Sequence, residues 1–88
     1  MKIIMYGSGI CSDCVRAEEQ LRGRSDIHLD YRVITQDTKI LKEFLSYRDQ
    51  EPVFNKAKEK GYIGIPFFIL EDGTKTLDIN DFINTPAL

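Results

Sequence analysis

Met5-Tyr6-Gly7-Ser8-Gly9-Ile10-Cys11-Ser12-Asp13-Cys14 is the stretch on which the reading of this chain turns. It holds both cysteines of the 88 residues, spaced Cys-x-x-Cys, and it joins two different periodicities. On its N-terminal side, Lys2 to Tyr6 is a short apolar run ended by Gly7-Ser8-Gly9, the pattern of a buried, central strand entering a tight loop. On its C-terminal side, Cys14, Ala17 and Leu21 fall on one face of Ser12 to Arg24, and Arg16, Glu19 and Gln20 fall on the other. That is an amphipathic helix beginning at or just after Cys11, supported by Glu18 placed four residues before Arg22.

Further out, Leu29, Tyr31 and Val33 alternate with Asp30 and Arg32, the period of a second strand with one face buried. A helix between the two strands makes a parallel βαβ pair the simplest connection. From about Asp37 to Lys60 a helical pattern carries Ile40, Leu41, Phe44 and Leu45 on one apolar stripe and Val53, Phe54 and Ala57 on another. Asp49-Gln50-Glu51-Pro52 reads as a cap followed by a first-turn proline, so two helices are expected, with Gly61 ending the second. Pro66 opens the run Phe67-Phe68-Ile69-Leu70, and Glu71-Asp72-Gly73-Thr74 turns it into a hairpin whose return strand is Lys75 to Leu77. Asp78 to Asn84 has room for one or two closing helical turns. The expected fold class is α/β: one domain over residues 1–88, a four-stranded mixed sheet flanked by helices in the order β-α-β-α-α-β-β-α.

Composition narrows the functions this domain can have. Twelve basic against fourteen acidic side chains give a net charge of −2, and no block of like charge occurs, which argues against nucleic acid and acidic membranes as partners. The longest apolar run, Ile63 to Leu70, contains a glycine and a proline and is far below the ~18 residues that span a bilayer. The N-terminus lacks the apolar core and small-residue cleavage site of a signal peptide, so a soluble, cytoplasmic monomer is expected. Two cysteines in one place fit neither a secreted disulfide scaffold nor a structural zinc site, for which His28 is the only other candidate ligand; no metal is expected. What remains is a dithiol used for chemistry, or half of a metal site or two core cysteines as the plainer alternatives.

Placed where a strand enters a helix, a Cys-x-x-Cys has a physical logic. The thiolate is the nucleophile, and the first helical turn offers it unpaired N–H groups and the positive end of the macrodipole. Cys11 is expected there as the attacking residue, with Cys14, one turn down and more buried, resolving the mixed disulfide. A carboxylate on Asp13, ~7 Å from Cys11, would oppose the thiolate by roughly 0.6 to 2.4 kcal/mol, so Asp13 is expected to tune it toward a more reducing pair. Favouring the first helical turn is the alternative role for Asp13.

Met5 to Cys14 together with Gly64-Ile65-Pro66-Phe67-Phe68 resembles the glutaredoxin branch of the thioredoxin-like superfamily. That resemblance implies a cis-proline at Pro66 facing the cysteines, and Ile65 as the residue whose backbone pairs with substrate. Ser8 stands where glutaredoxins usually carry a substrate-facing lysine, and Leu77-Asp78-Ile79-Asn80-Asp81 stands where they carry a Gly-Gly pair and an acidic residue. Asp78, Asn80 or Asp81 would meet an amino group or simply cap a last helix. Tyr6, with Ser8, is assigned to substrate binding, packing beneath the loop being its alternative. Tyr62, Phe67 and Phe68 are assigned to the core, Lys56, Lys58 and Lys60 to a solvated helix face, and His28 to the surface at the end of the sheet away from Cys11.

The function expected is that of a dithiol thiol-disulfide oxidoreductase acting on protein or low-molecular-weight disulfides. No bound cofactor is expected; glutathione, as co-substrate, or a thioredoxin-type reductase would supply electrons. Two alternatives stand beside it: a module binding an iron–sulfur cluster with glutathione between two subunits, and a relative of the arsenate-reductase branch, whose arginine before the proline is Ile65 here.

Overall fold

A computed structural model describes residues 1–84. Strand β1 (Lys2–Gly7) runs parallel to β2 (His28–Val33) in a register that pairs Lys2 with His28 and Gly7 with Val33. Helix α1 (Ser12–Arg22) makes the crossover between them. Strand β3 (Phe67–Leu70) lies antiparallel on the other side of β1, and the two-residue β4 (Lys75–Thr76) completes a mixed sheet of order β2-β1-β3-β4. The chain is therefore α/β with β1 central, as its short apolar run predicts.

Between β2 and β3 run α2 (Thr38–Gln50), a 3-10 turn (Pro52–Phe54) and α3 (Asn55–Glu59). The Asp37 carboxylate caps α2 by accepting from the amides of Lys39 and Ile40 at 2.6 and 3.4 Å. At Glu51 the backbone becomes extended and Pro52 starts the next turn, so the helical region divides at the expected proline. In the hairpin, Gly73 takes a φ of 88°, and the Leu70 amide donates to the Thr74 carbonyl at 2.8 Å.

Alternation along β1 sends Ile3 and Met5 to one face of the sheet and Tyr6 to the other, and two apolar clusters result. On the first face Cys14, Ala17 and Leu21 of α1 pack with Ile3, Met5, Phe68 and Phe82. On the second, Tyr6, Ile34, Phe44, Phe54 and Phe67 form an aromatic core, with Phe54 and Phe67 ring centroids 4.7 Å apart.

Two expectations change. The closing helix is a single 3-10 turn, Ile79–Asp81, because the Asp78 carboxylate already accepts from the Asn80 amide at 2.9 Å and Phe82 must turn in against Phe68. Asp78 thus has the capping role. Along α2 the buried stripe is narrower than expected: Phe44 is buried, with Ile40 and Tyr47 packed against the same cluster, whereas Leu41 and Leu45 remain over a third exposed.

Candidate functional site

The backbone of β1 delivers the site. After Gly7 the chain leaves the sheet, the Cys11 amide closes the loop by donating to the Ser8 carbonyl at 3.1 Å, and Cys11 becomes the N-cap of α1. Its carbonyl accepts the first helical bond from Val15 at 3.0 Å, while its Sγ accepts from the Cys14 amide at 3.3 Å. A sulfur in the position of a capping oxygen meets an otherwise unpaired N–H at the positive end of the helix. Cys11 is half-buried, Cys14 is fully buried, and both are free thiols. Burial pushes the Cys14 thiol up to about 12, reinforced by its hydrogen bond to Cys11 and opposed by the Ser8 backbone amide. One thiol is thus accessible and set on donors, and the other waits beneath it as a protonated sulfhydryl.

Gly7 makes this possible by lacking a side chain. A Cβ there would lie 2.9 Å from Cys14 Sγ and 3.2 Å from the Tyr31 hydroxyl, too close for either. The loop above is tied down by Ser8, whose hydroxyl hydrogen-bonds the Thr35 hydroxyl at 2.8 Å and receives the Ile10 amide at 3.4 Å.

Opposite the cysteines, the Ile65–Pro66 peptide bond is cis, and Ile65 packs with Cys11 on the first-face core. Cys11, Asp13 and Ile65 line one open cleft of about 810 Å³ together with Ile10, Tyr62 and Ile63. Asp13 and Ile65 also line a neighbouring hollow of about 340 Å³ with Pro66, Arg16 and Asn80. The structure therefore brings Cys11, Cys14, Asp13, Ile65 and Pro66 together. Asp13 is exposed and ion-paired with Arg16, so its charge does not act on the cysteines alone. The guanidinium offsets part of the repulsion that the bare carboxylate would exert.

Other assigned residues are corrected. Tyr6 does not face substrate: it is fully buried on the second face of the sheet, and its hydroxyl donates to Glu43 and accepts from Arg32 at 3.2 Å. Burial and the Glu43 hydrogen bond push its ionisation up. Ser8 borders the cleft but is only 1% exposed with its hydroxyl engaged, so it holds the loop in place of contacting substrate. Tyr62 is not core: it is 63% exposed on the cleft's rim, beside Ile63 at 60%. Sequence reasoning missed these two because an apolar pair before a strand reads as core; the one signal was Gly61 and Gly64 flanking them, both at positive φ. His28 is exposed and pairs with Lys2, at the end of β1 remote from Gly7. Lys56, Lys58 and Lys60 are exposed. Among the described residues no group of three or more His, Cys, Asp or Glu is arranged to hold a metal ion, and no helix is long and apolar enough to cross a membrane.

An uncharacterized protein of Haemophilus influenzae is 30% identical to this chain over 79 residues, which cover 90% of this chain and 91% of that one. The chain belongs to that protein's family. No family model matches the chain, and no solved structure does. The likeness covers about nine-tenths of each chain.

Proposed function

We propose that this protein is a thiol-disulfide oxidoreductase of thioredoxin-like fold, related in arrangement to glutaredoxins. The observation that carries the reading is the N-cap position of Cys11, its Sγ on the Cys14 amide at 3.3 Å and the buried Cys14 thiol one turn below. The order β-α-β, helices, β-β and the cis Ile65–Pro66 bond beside Cys11 support it.

In this mechanism the Cys11 thiolate attacks one sulfur of a substrate disulfide, and the other sulfur leaves as a thiolate that takes a proton from solvent. Cys11 is then in a mixed disulfide and carries no negative charge. Charge on Cys11 is one of the causes that hold the proton on Cys14, so its discharge eases Cys14 ionisation at the step that needs it. The Cys14 thiolate attacks Cys11 Sγ, the second substrate sulfur departs as a thiol, and the protein is left with a Cys11–Cys14 disulfide. Two electrons have passed to the substrate, and an external thiol or dithiol donor, glutathione or a thioredoxin-type reductase, returns them.

The test is a reduction assay with each donor system on wild type and Cys11→Ser. Activity with at least one donor, abolished in Cys11→Ser, is expected; activity that survives the substitution overturns the mechanism. Cys14→Ser should trap a covalent complex with substrate through Cys11, visible by mass spectrometry.

A further inference from the structure

We propose that the Cys11 cleft is built for polypeptide disulfides whose cysteine is flanked by an apolar side chain and not by a carboxylate, and that Ile10, Tyr62 and Ile63 are the lip that receives that side chain. The inference rests on the oxidoreductase reading above and specifies its substrate class. Ile10 is 89% exposed, the most exposed large apolar residue described, and Tyr62 and Ile63 stand across the same cleft with about three-fifths of their surface in water. Large apolar side chains left in solvent around one reactive sulfur form a patch, and a patch of that kind marks a contact surface.

The display is enforced by the backbone. Arg48 of α2 donates from Nε to the Ile63 carbonyl and from its terminal nitrogen to the Tyr62 carbonyl, both at 2.7 Å. Gly61 and Gly64, at φ of 73° and 94°, turn the chain on either side. With its carbonyls held inward, the segment presents its side chains outward. The apolar surface also continues: a shallow hollow of about 240 Å³ shares Tyr62 and Ile63 and adds the half-exposed Leu41 and Leu45. On its other side the cleft shares Asp13 and Ile65 with the hollow of about 340 Å³. Three hollows in a row with the nucleophile in the middle one suit an extended chain better than a compact small molecule.

Charge decides against acidic substrates. Among the described residues Asp13 is the one carboxylate lining the cleft, and no lysine, arginine or histidine lines it. The arginines of the two neighbouring hollows are engaged, Arg16 by Asp13 and Arg48 by two carbonyls. A substrate carboxylate would meet Asp13, whose charge Arg16 only partly offsets, with no cation among the described lining residues, whereas neutral or basic flanks meet no such opposition.

The experiment is a single-turnover assay with the pre-reduced protein, so that no electron donor is involved, reading thiol release from short peptide disulfides that differ only in the residue after cysteine: Leu, Ser, Lys or Glu. The Leu peptide should react roughly tenfold or more faster than the Glu peptide, with Ser and Lys between, the scale a single apolar contact supplies. Ile63→Ser and Tyr62→Ser should remove most of the Leu preference, read within each variant as the ratio of the Leu-peptide rate to the Ser-peptide rate. Ile63→Lys should raise the Glu peptide's rate above wild type, a gain that misfolding cannot produce. Equal rates for Leu and Glu peptides overturn the inference and leave the oxidoreductase standing; release from none of the four overturns both. If Tyr62 and Ile63 instead join two copies of the chain, sedimentation will show a dimer that Ile63→Ser converts to monomer, and the substrate role is overturned.

Discussion

Cys11 and Cys14 are three residues apart yet sit in opposite environments, and the difference is set by one helical turn. Cys11 ends the loop, where α1 offers its amides. Cys14 points back under the loop, fully buried against Ile3, Met5 and Phe68 and pushed up to about 12. At neutral pH an alkylating reagent such as iodoacetamide should therefore modify Cys11 and leave Cys14 intact until the protein is unfolded, a pattern that peptide mapping reads directly. Equal labelling of both thiols in the native protein would contradict the burial that sets them apart. Gly7 guards the same geometry. Gly7→Ala places a methyl 2.9 Å from the fully buried Cys14 Sγ and 3.2 Å from the Tyr31 hydroxyl. Overpacking of this kind costs about 1 to 3 kcal/mol. We expect a lower urea midpoint and a slower second step, measured as longer-lived mixed disulfide with substrate, since the sulfur that resolves it has been displaced. The unequal burial of the two cysteines was legible in the sequence because spacing and helix phase fix it. The reason for Gly7 was not, because its close neighbour Tyr31 belongs to the partner strand, and strand registry is not written in local pattern.

At the level of elements, the sheet separates the cysteines from the aromatic core. The face under α1 holds the cysteines; the other holds an aromatic core under α2 and α3. Tyr6 marks the boundary. It lies one residue before Gly7 in sequence, but the two-residue period of β1 turns it to the aromatic side, stacked on Phe67 at 5.8 Å and hydrogen-bonded to Glu43 of α2 and Arg32 of β2. Sequence proximity to Cys11 suggested a substrate contact; alternation places it elsewhere. Tyr6→Phe should cost about 1.5 to 3 kcal/mol of stability, the loss of the hydroxyl's hydrogen bonds to two charged partners with the ring retained. Glu43 and Arg32 keep each other as partners, which holds the loss to that range. The rate of disulfide reduction at low temperature should be unchanged within error; a large loss of rate in a well-folded Tyr6→Phe would return Tyr6 to the site. The element order was legible from periodicity and from Pro52, Pro66 and Gly73. The outward turn of Tyr62 and Ile63 was not, because it depends on Arg48 reaching two carbonyls fourteen and fifteen residues away.

For the whole molecule, protons link the site to stability. Cys14 and Tyr31 would ionise near their ordinary values of 9.0 and 10.0 in an unfolded chain, but in the fold burial holds each up to about 12. Tyr6 is shifted in the same direction. As pH rises past about 9 the unfolded chain releases these protons first and the folded chain keeps them, so the folded state binds more protons and stability falls with pH. The contribution is fully present below about 9 and is gone once the pH has passed the folded value near 12. The acid side runs in the opposite sense. Asp26, beside the Arg24 guanidinium, and Asp72, which accepts the Thr74 amide, are held below the usual 3.8, so their contribution is present above that value and is lost as pH falls through the folded one. Asp72 is exposed and Asp26 only partly buried, so solvent screens both, whereas Cys14 and Tyr6 are fully buried. The alkaline limb should therefore be the steeper. Urea midpoints measured on the reduced protein from about pH 7 to about pH 11 should hold level and then decline continuously above about 9. Cys14→Ala and Tyr31→Phe should each flatten the decline, and the double variant more than either. A midpoint that stays level to about pH 11 in the wild type would mean that these groups release their protons without opening the fold. The Cys14 thiol would then not be sealed by the same packing that holds the sheet together.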